Sequence, residues 1–239
     1  MAPDSRAEPS PFPSTLWSQI LSVGDPGSPE YRLRMDELIR RYWKPVYHTI
    51  RSGWTKAEEE ARDLTQEFFV EILDGQLVGA ADPSRGSFRH YLRGALRHFL
   101  LNVRRAERAE KRGGALHRLS LDFEGAGATL EPADTREDPE ARFDRAWAYQ
   151  LMSEATAELQ GRLSSGGRAT DWAFFKAYDL PAGARPSCRE LGEKYSVPEH
   201  QVRRTLEAVR QELRAILLER VRAYVRDEAE LYRELDELF

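Results

Sequence analysis

The segment Ala61–Asp74 (ARDLTQEFFVEILD) repeats its apolar residues at helical spacing, and no other feature of the chain limits its fold so strongly. At about 100° per residue, Ala61, Leu64, Phe68, Phe69, Ile72 and Leu73 form a broad stripe that has to be buried. The opposite arc carries Asp63, Gln66, Glu67 and Asp74, with Val70 among them. An acidic strip with an apolar residue at its centre suits a docking face for a basic, partly apolar partner better than a merely solvated surface. Nearly every other periodic segment has the same period, and none alternates convincingly as a strand would. The expected class is therefore all-α.

Leu16–Val23 and a Gly/Pro break at Gly24–Pro29 precede Tyr31–Ile50, a long amphipathic segment rich in aromatics, which Pro45 is expected to kink or divide. The loop Ala80–Gly86 (AADPSRG) leads into Ser87–Lys111, and these helices together should make one bundle. Gly113–Asp144, rich in Gly, Ala and acid with Pro132 and Pro139, reads as a linker. Phe143–Leu163 is helical again, and Asp171–Tyr178 is a short aromatic helix. The expectation is two small helical domains joined by a flexible acidic linker. A disordered lead-in covers 1–14, a first domain 15–112, the linker 113–142, a second domain 143–217 and a C-terminal helical extension 218–239, broken near Asp227.

A formal net charge of −4 conceals strong segregation. Between Arg85 and Arg118 the basic residues Arg85, Arg89, Arg93, Arg97, Arg104, Arg105, Arg108, Lys111, Arg112 and Arg118 face only Glu107 and Glu110. On the helix from Ser87, the residues Phe88, Tyr91, Leu92, Ala95, Leu96, Phe99 and Val103 share an apolar face. Arg89, Arg93, Arg97 and Arg104 gather beside it. Without acids at i+4, these guanidinium groups repel one another unless an anion lies across them. A solvated basic face is the plain alternative. The continuation of the row past Arg105 favours a polyanion, nucleic acid first. His90, Tyr91 and His98 lie near enough to stack on unpaired bases, at roughly 1–3 kcal/mol per base, although most such rings belong in the core.

Ser187-Cys188-Arg189-Glu190 fits a capping box at the start of a short helix that buries Leu191 and Tyr195. Ser196-Val197-Pro198 makes a turn, with Pro198 suited to the first position of the next helix. There Val202, Leu206, Val209, Leu213 and Leu217 form an apolar stripe. His200, Arg204, Glu207 and Gln211 lie opposite, flanked by Gln201 and Arg203. Polar side chains near the N-terminus of a second helix are placed to meet base edges in a major groove, although an ordinary helical hairpin has the same pattern.

Cys188 is the sole cysteine, so no intrachain disulfide is available and a reducing cytoplasm is expected. The N-terminus lacks the apolar core of a signal peptide, and no run approaches transmembrane length, so no membrane is expected. Catalysis is not expected either. Neither Glu67 nor Glu71 has a His three residues on, as a two-metal bundle would need, and His48, His90, His98, His117 and His200 are scattered. There is no phosphate-binding loop, Gly125-x-Gly127 is only a flexible stretch, and no metal or cofactor is expected.

Three motifs together resemble those of bacterial RNA polymerase sigma factors of the extracytoplasmic-function (ECF) type, in the sigma-70 family. They are ARDLTQEFF at Ala61–Phe69, GSFRHYLRGALRHFLLNVRR at Gly86–Arg105 and SCRELGEKYSVPEHQVRRTLEAVRQELR at Ser187–Arg214. A narrower likeness to an ECF-like subgroup extends over RRYWKPVY, ADPSRGSFRHYL, AEKRGG and LSLD, so the resemblance runs from about Thr15 almost to the C-terminus. The first two motifs together are specific, whereas the third alone is not. The resemblance implies sigma domain 2 joined by a linker to sigma domain 4. It implies that Asp63, Gln66, Glu67 and Val70 bind the β′ clamp helices of core RNA polymerase, with the β flap as a second contact. Arg85, Arg89, Arg93, Arg97, His98, Asn102, Arg104 and Arg105, with the loop Asp82–Gly86, would contact the −10 element of promoter DNA and hold its melted non-template strand. Arg189, His200, Gln201, Arg203, Arg204 and Glu207 would read the −35 element.

The chain departs from the family in three places. Many members carry Asn-x-x-x-Asp where this chain has His98-x-x-x-Asn102. Ser196 stands where the turn usually has Gly, and Pro198 where Ser or Thr commonly caps the second helix. Two rival readings start from the same residues. One is a helix-turn-helix regulator that binds duplex DNA alone and uses its N-terminal half to dimerise, and the other is a degenerate sigma that binds polymerase without initiating. An anti-sigma factor is a further partner of many members, though nothing in the sequence names one. The acidic, amphipathic C-terminal segment Asp227–Phe239 (DEAELYRELDELF) is expected to pack on the helix-turn-helix domain. The alternative is that it folds back on the Arg face and restrains DNA binding.

Overall fold

A computed structural model describes residues 28–55, 57–73, 87–110, 138–181 and 183–239. Among these the chain is all-α, with no strand. Its helices are α1 (Pro29–Gly53), α2 (Glu58–Leu73), α3 (Phe88–Glu110), α4 (Pro139–Ser165), α5 (Ala169–Asp179), α6 (Cys188–Tyr195), α7 (Glu199–Arg222) and α8 (Glu228–Leu238). They divide into two compact units, one comprising the chain up to Gln150 together with Arg222–Phe239, the other Leu151–Val221. None of these helices is long and apolar enough to cross a membrane. The lead-in at 1–14, the segment Leu16–Val23, the loop Asp82–Gly86 with Arg85, and most of the expected linker lie outside the described residues.

In the first unit, α1 starts where the Ser28 Oγ accepts from the Tyr31 N–H at 3.1 Å, with Pro29 at its first position. Pro45 does not divide α1. Proline has no N–H to offer the carbonyl four residues back. The Gln150 side chain of α4 supplies that missing donor, its Nε2 reaching the Arg41 carbonyl at 3.0 Å. α2 begins three residues before the apolar pattern does, because Glu58, Glu59 and Glu60 suit the positive end of a helix dipole. Thr55 holds that end, accepting from the Ala57 N–H at 3.1 Å and donating to Glu60 at 2.5 Å. The α2 stripe is buried as expected except at Leu73, which is 41% exposed.

Phe68 of α2 meets Phe99 of α3 with ring centroids 5.5 Å apart, and Trp43 of α1 stacks on Phe69 at 5.7 Å. Deeper, Tyr42 stacks flat on Trp147 at 4.6 Å and receives the edge of Phe88 at 5.2 Å. Tyr224 closes the cluster, its ring edge-on to Trp147 and its hydroxyl accepting from Trp147 Nε1 at 3.2 Å. Composition places Phe143 and Trp147 beyond the linker in the second domain, but the first unit buries both. Large rings must be buried where apolar surface awaits them, and Tyr42 and Phe88 offer it. The C-terminal segment likewise differs from the expectation. It belongs to the first unit, where Tyr224 and Val225 are buried.

The core of the second unit joins Ala155, Leu159 and Leu163 of α4 to Phe174 and Phe175 of α5, Cys188 and Leu191 of α6, and Val202, Leu206, Val209 and Ile216 of α7. Leu213 and Leu217, expected in the α7 stripe, are partly buried beside it. α4 ends at Gly166–Gly167, where the Arg168 N–H reaches the Leu163 carbonyl at 2.8 Å and the Gly167 N–H that of Ser164 at 3.3 Å. That cap needs a left-handed residue, and Gly167 supplies it with φ 70.

Candidate nucleic-acid interface

The helix-turn-helix of the second unit is built from its caps outward. The Ser187 Oγ accepts from the Glu190 N–H at 3.2 Å, and a Glu190 carboxylate oxygen accepts from the Ser187 N–H at 2.7 Å. That backbone hydrogen bond is the main cause holding the Glu190 carboxyl below its ordinary range. α6 ends in the same kind of cap as α4, with the Val197 N–H on the Gly192 carbonyl at 2.9 Å, but Ser196 takes the left-handed position at φ 56. The loss of the usual turn glycine is thus absorbed as local strain at Ser196 rather than as a different turn. Gly192 is the position the pattern missed. A Cβ there would lie 2.5 Å from the Val197 carbonyl oxygen, so the turn passes too close for any side chain. A glycine inside an eight-residue helix, where alanine would favour the helix, was the available signal. Gly192→Ala should destabilise the second unit by about 1–3 kcal/mol. Ser196→Gly should stabilise it by up to about 1 kcal/mol, both read by thermal unfolding.

From this turn α7 projects His200, Gln201, Arg203, Arg204 and Glu207 into solvent, opposite Val202, Leu206 and Val209, while Arg189 is exposed on α6. Arg203 is held by Glu199 at 2.5 Å and Arg189 by Glu193 at 3.3 Å. Exposed i,i+4 pairs of this kind are weak, so both guanidinium groups can be given up to a phosphate or a base edge.

On α2 of the first unit, Glu67 and Val70 are exposed, and Asp63 and Gln66 are half-buried. Leu73 lies three residues beyond Val70 on the same face and widens its apolar part.

The Arg row of α3 is placed differently from a solvated basic face. His98, Asn102, Arg104 and Arg105 are exposed, with Arg105 donating to Asn102 at 3.1 Å and Arg104 lying 5.0 Å over the Trp54 ring. Arg89 is fully buried. Its guanidinium donates to Asp144 of α4 and to Glu234 of α8, and at 2.6 Å to Glu237. Arg93 is bound to Asp144 at 2.7 Å, and Arg97, still more than half exposed, to Glu140 at 3.2 Å. Three arginines on one helix thus meet four carboxylates from two others. The signal for those partners was present as acid pairs at i,i+4 on α4 (Glu140, Asp144) and i,i+3 on α8 (Glu234, Glu237).

His90 joins this network, its Nδ1 2.8 Å from the Ser87 Oγ and its Nε2 2.8 Å from Glu237. His90, Glu234 and Glu237 bring possible ligand atoms within 4.8 Å of one another. The Arg89 guanidinium already occupies the two carboxylates, and its charge opposes a cation there. Burial pushes the Glu237 carboxyl up, but the hydrogen bond from Arg89 and the neighbouring His90 outweigh it and leave the group below its ordinary range. A carboxyl with a depressed folded-state pKa stabilises above its unfolded pKa, and that contribution goes as pH falls through the folded value. Amide protection of α8 should accordingly decline below about pH 4, and Glu237→Gln should flatten that decline in hydrogen exchange.

Comparison of the chain with models of known families, with characterised proteins and with solved structures finds no match.

Proposed function

We propose that the chain is a bacterial sigma factor of the ECF type, which binds core RNA polymerase in the cytoplasm, directs it to promoters and promotes their melting without enzymatic chemistry. The observation that supports this best is the coexistence of two unlike surfaces. One is an acidic strip with an apolar centre on α2, and the other is a helix-turn-helix in a separate unit whose second helix presents His200, Gln201, Arg203, Arg204 and Glu207 to solvent. A regulator that binds duplex DNA alone needs the second surface and has no use for the first. In this reading Asp63, Gln66, Glu67 and Val70, with Leu73 beside them, meet the basic β′ clamp helices. The exposed residues of α3 (Arg97, His98, Asn102, Arg104 and Arg105) meet the −10 element, and α7 meets the −35 element. Base capture would offset the few kcal/mol that each unstacked base costs.

The test is transcription by bacterial core polymerase with this protein on a fragment library of its own genome, followed by sequencing of transcript starts. The expected starts share a two-part upstream motif. A double substitution of Glu67→Arg and Val70→Arg should weaken binding to core by about a hundredfold or more and abolish co-elution, because it sets like charge against the clamp helices. Retained core binding by that variant, or no core binding by the wild type, would overturn the reading and leave the duplex-binding regulator.

A further inference from the structure

We propose that α8 is a removable acidic latch, an internal stand-in for nucleic-acid phosphate, that holds the Arg89–Arg93 end of the α3 row until a polyanion displaces it. This rests on the reading of α3 as a nucleic-acid surface and adds how one end of that surface is kept closed. With α8 docked, the guanidinium groups of Arg89, Arg93 and Arg97 face the carboxylates of Asp144, Glu140, Glu234 and Glu237, so these three groups carry no net positive charge to attract DNA. With α8 withdrawn, two of the four carboxylates leave and the row becomes cationic.

The docking chemistry fits removal. The segment before α8 is anchored by apolar burial at Tyr224 and Val225, whereas α8 itself contributes one fully buried apolar residue, Leu231, beside the buried carboxylates Glu230 and Glu234. Glu237 is 40% exposed, so salt and a competing anion can reach its contacts, whereas the Tyr224–Trp147 anchor is buried and insensitive to both. The backbone opens out between anchor and latch, at the extended Asp227 that caps α8. Arg97 and Glu237 lie at the solvent-accessible rim, where an incoming phosphate meets them first.

The experiment measures binding of a labelled mixed-sequence oligonucleotide, single-stranded and duplex, to the full chain by fluorescence anisotropy at low salt. Glu234→Gln/Glu237→Gln should bind about tenfold more tightly than wild type, with a steeper salt dependence. Glu228→Gln/Asp236→Gln removes equal charge from exposed α8 positions and should change affinity by less than about twofold. The gain should vanish when Arg93→Ala/Arg97→Ala is added to the latch variant. Glu237→Gln alone tests the same point, with a smaller gain, should loss of the buried Glu234 charge unsettle the fold. Equal affinity of latch and control variants, with binding still dependent on Arg93 and Arg97, would overturn the latch and leave the nucleic-acid surface standing. Binding indifferent to Arg93 and Arg97, or no binding by any variant, would overturn the surface itself and the latch with it.

Discussion

Arg89→Ala should destabilise the first unit by about 3–5 kcal/mol, because it strands a buried carboxylate at Glu234 and withdraws a donor from Asp144 and Glu237. The melting temperature should fall by roughly 10 °C or more. Arg97→Ala, one step along the same row, should change stability by less than about 1 kcal/mol, since Arg97 and Glu140 meet near solvent. The contrast separates two roles that helical spacing treats alike. Burial pulls the Arg89 guanidinium down, but its hydrogen bonds and charge contacts with Glu234, Asp144 and Glu237 raise it above the ordinary arginine value, so it stays charged wherever the protein is folded. Replacing the pair by apolar groups, Arg89→Met with Glu234→Leu, should recover much of the loss, as expected where the penalty lies in the orphaned charge rather than in a missing attraction. Equal melting temperatures for Arg89→Ala and Arg97→Ala would show that the network carries no stability.

Local pattern made the apolar faces readable. Leu64, Phe68, Phe69 and Ile72 on α2, and Val202, Leu206 and Val209 on α7, are buried where a period of 3.6 puts them. Pattern failed at stripe edges, where a turn of phase decides burial. Leu73 was expected inside and is partly exposed, while Ile216 is buried where Leu217 was expected. The capping box at Ser187 was legible because it is local, and the strain at Ser196 follows from a left-handed position that only the assembled turn reveals. The acid pairs on α4 and α8 marked candidate partners for Arg89, but Glu234 lies 145 residues away and periodicity does not say which acidic segment meets the row. Unrelieved arginines on one helix do call for an anion across them, and the chain supplies its own from α4 and α8.

Trp147→Ala should be the most damaging apolar truncation in the first unit, at about 3–5 kcal/mol, because that ring joins Tyr42 of α1 to Tyr224. It removes the stack on Tyr42 of α1, the edge contact to Tyr224 and the hydrogen bond to the Tyr224 hydroxyl, beside Phe88 of α3. Trp147→Phe keeps an aromatic face and should cost about half as much, the remainder being indole volume and the lost Nε1 donor. The readout that matters is hydrogen exchange resolved by segment. Protection should fall in α1, α3 and residues 222–239, and should persist in α5, α6 and the middle of α7, whose core contains none of these side chains. Because the Tyr224 anchor holds the base of α8, this variant should also loosen α8 and raise nucleic-acid affinity together with instability. Latch substitutions at Glu234 and Glu237 should raise affinity while leaving protection of α1 intact. If Trp147→Ala instead spares α1 and α3, the N-terminal half of α4 belongs with the linker, and the carboxylates of Glu140 and Asp144 cannot be fixed partners of the arginine row.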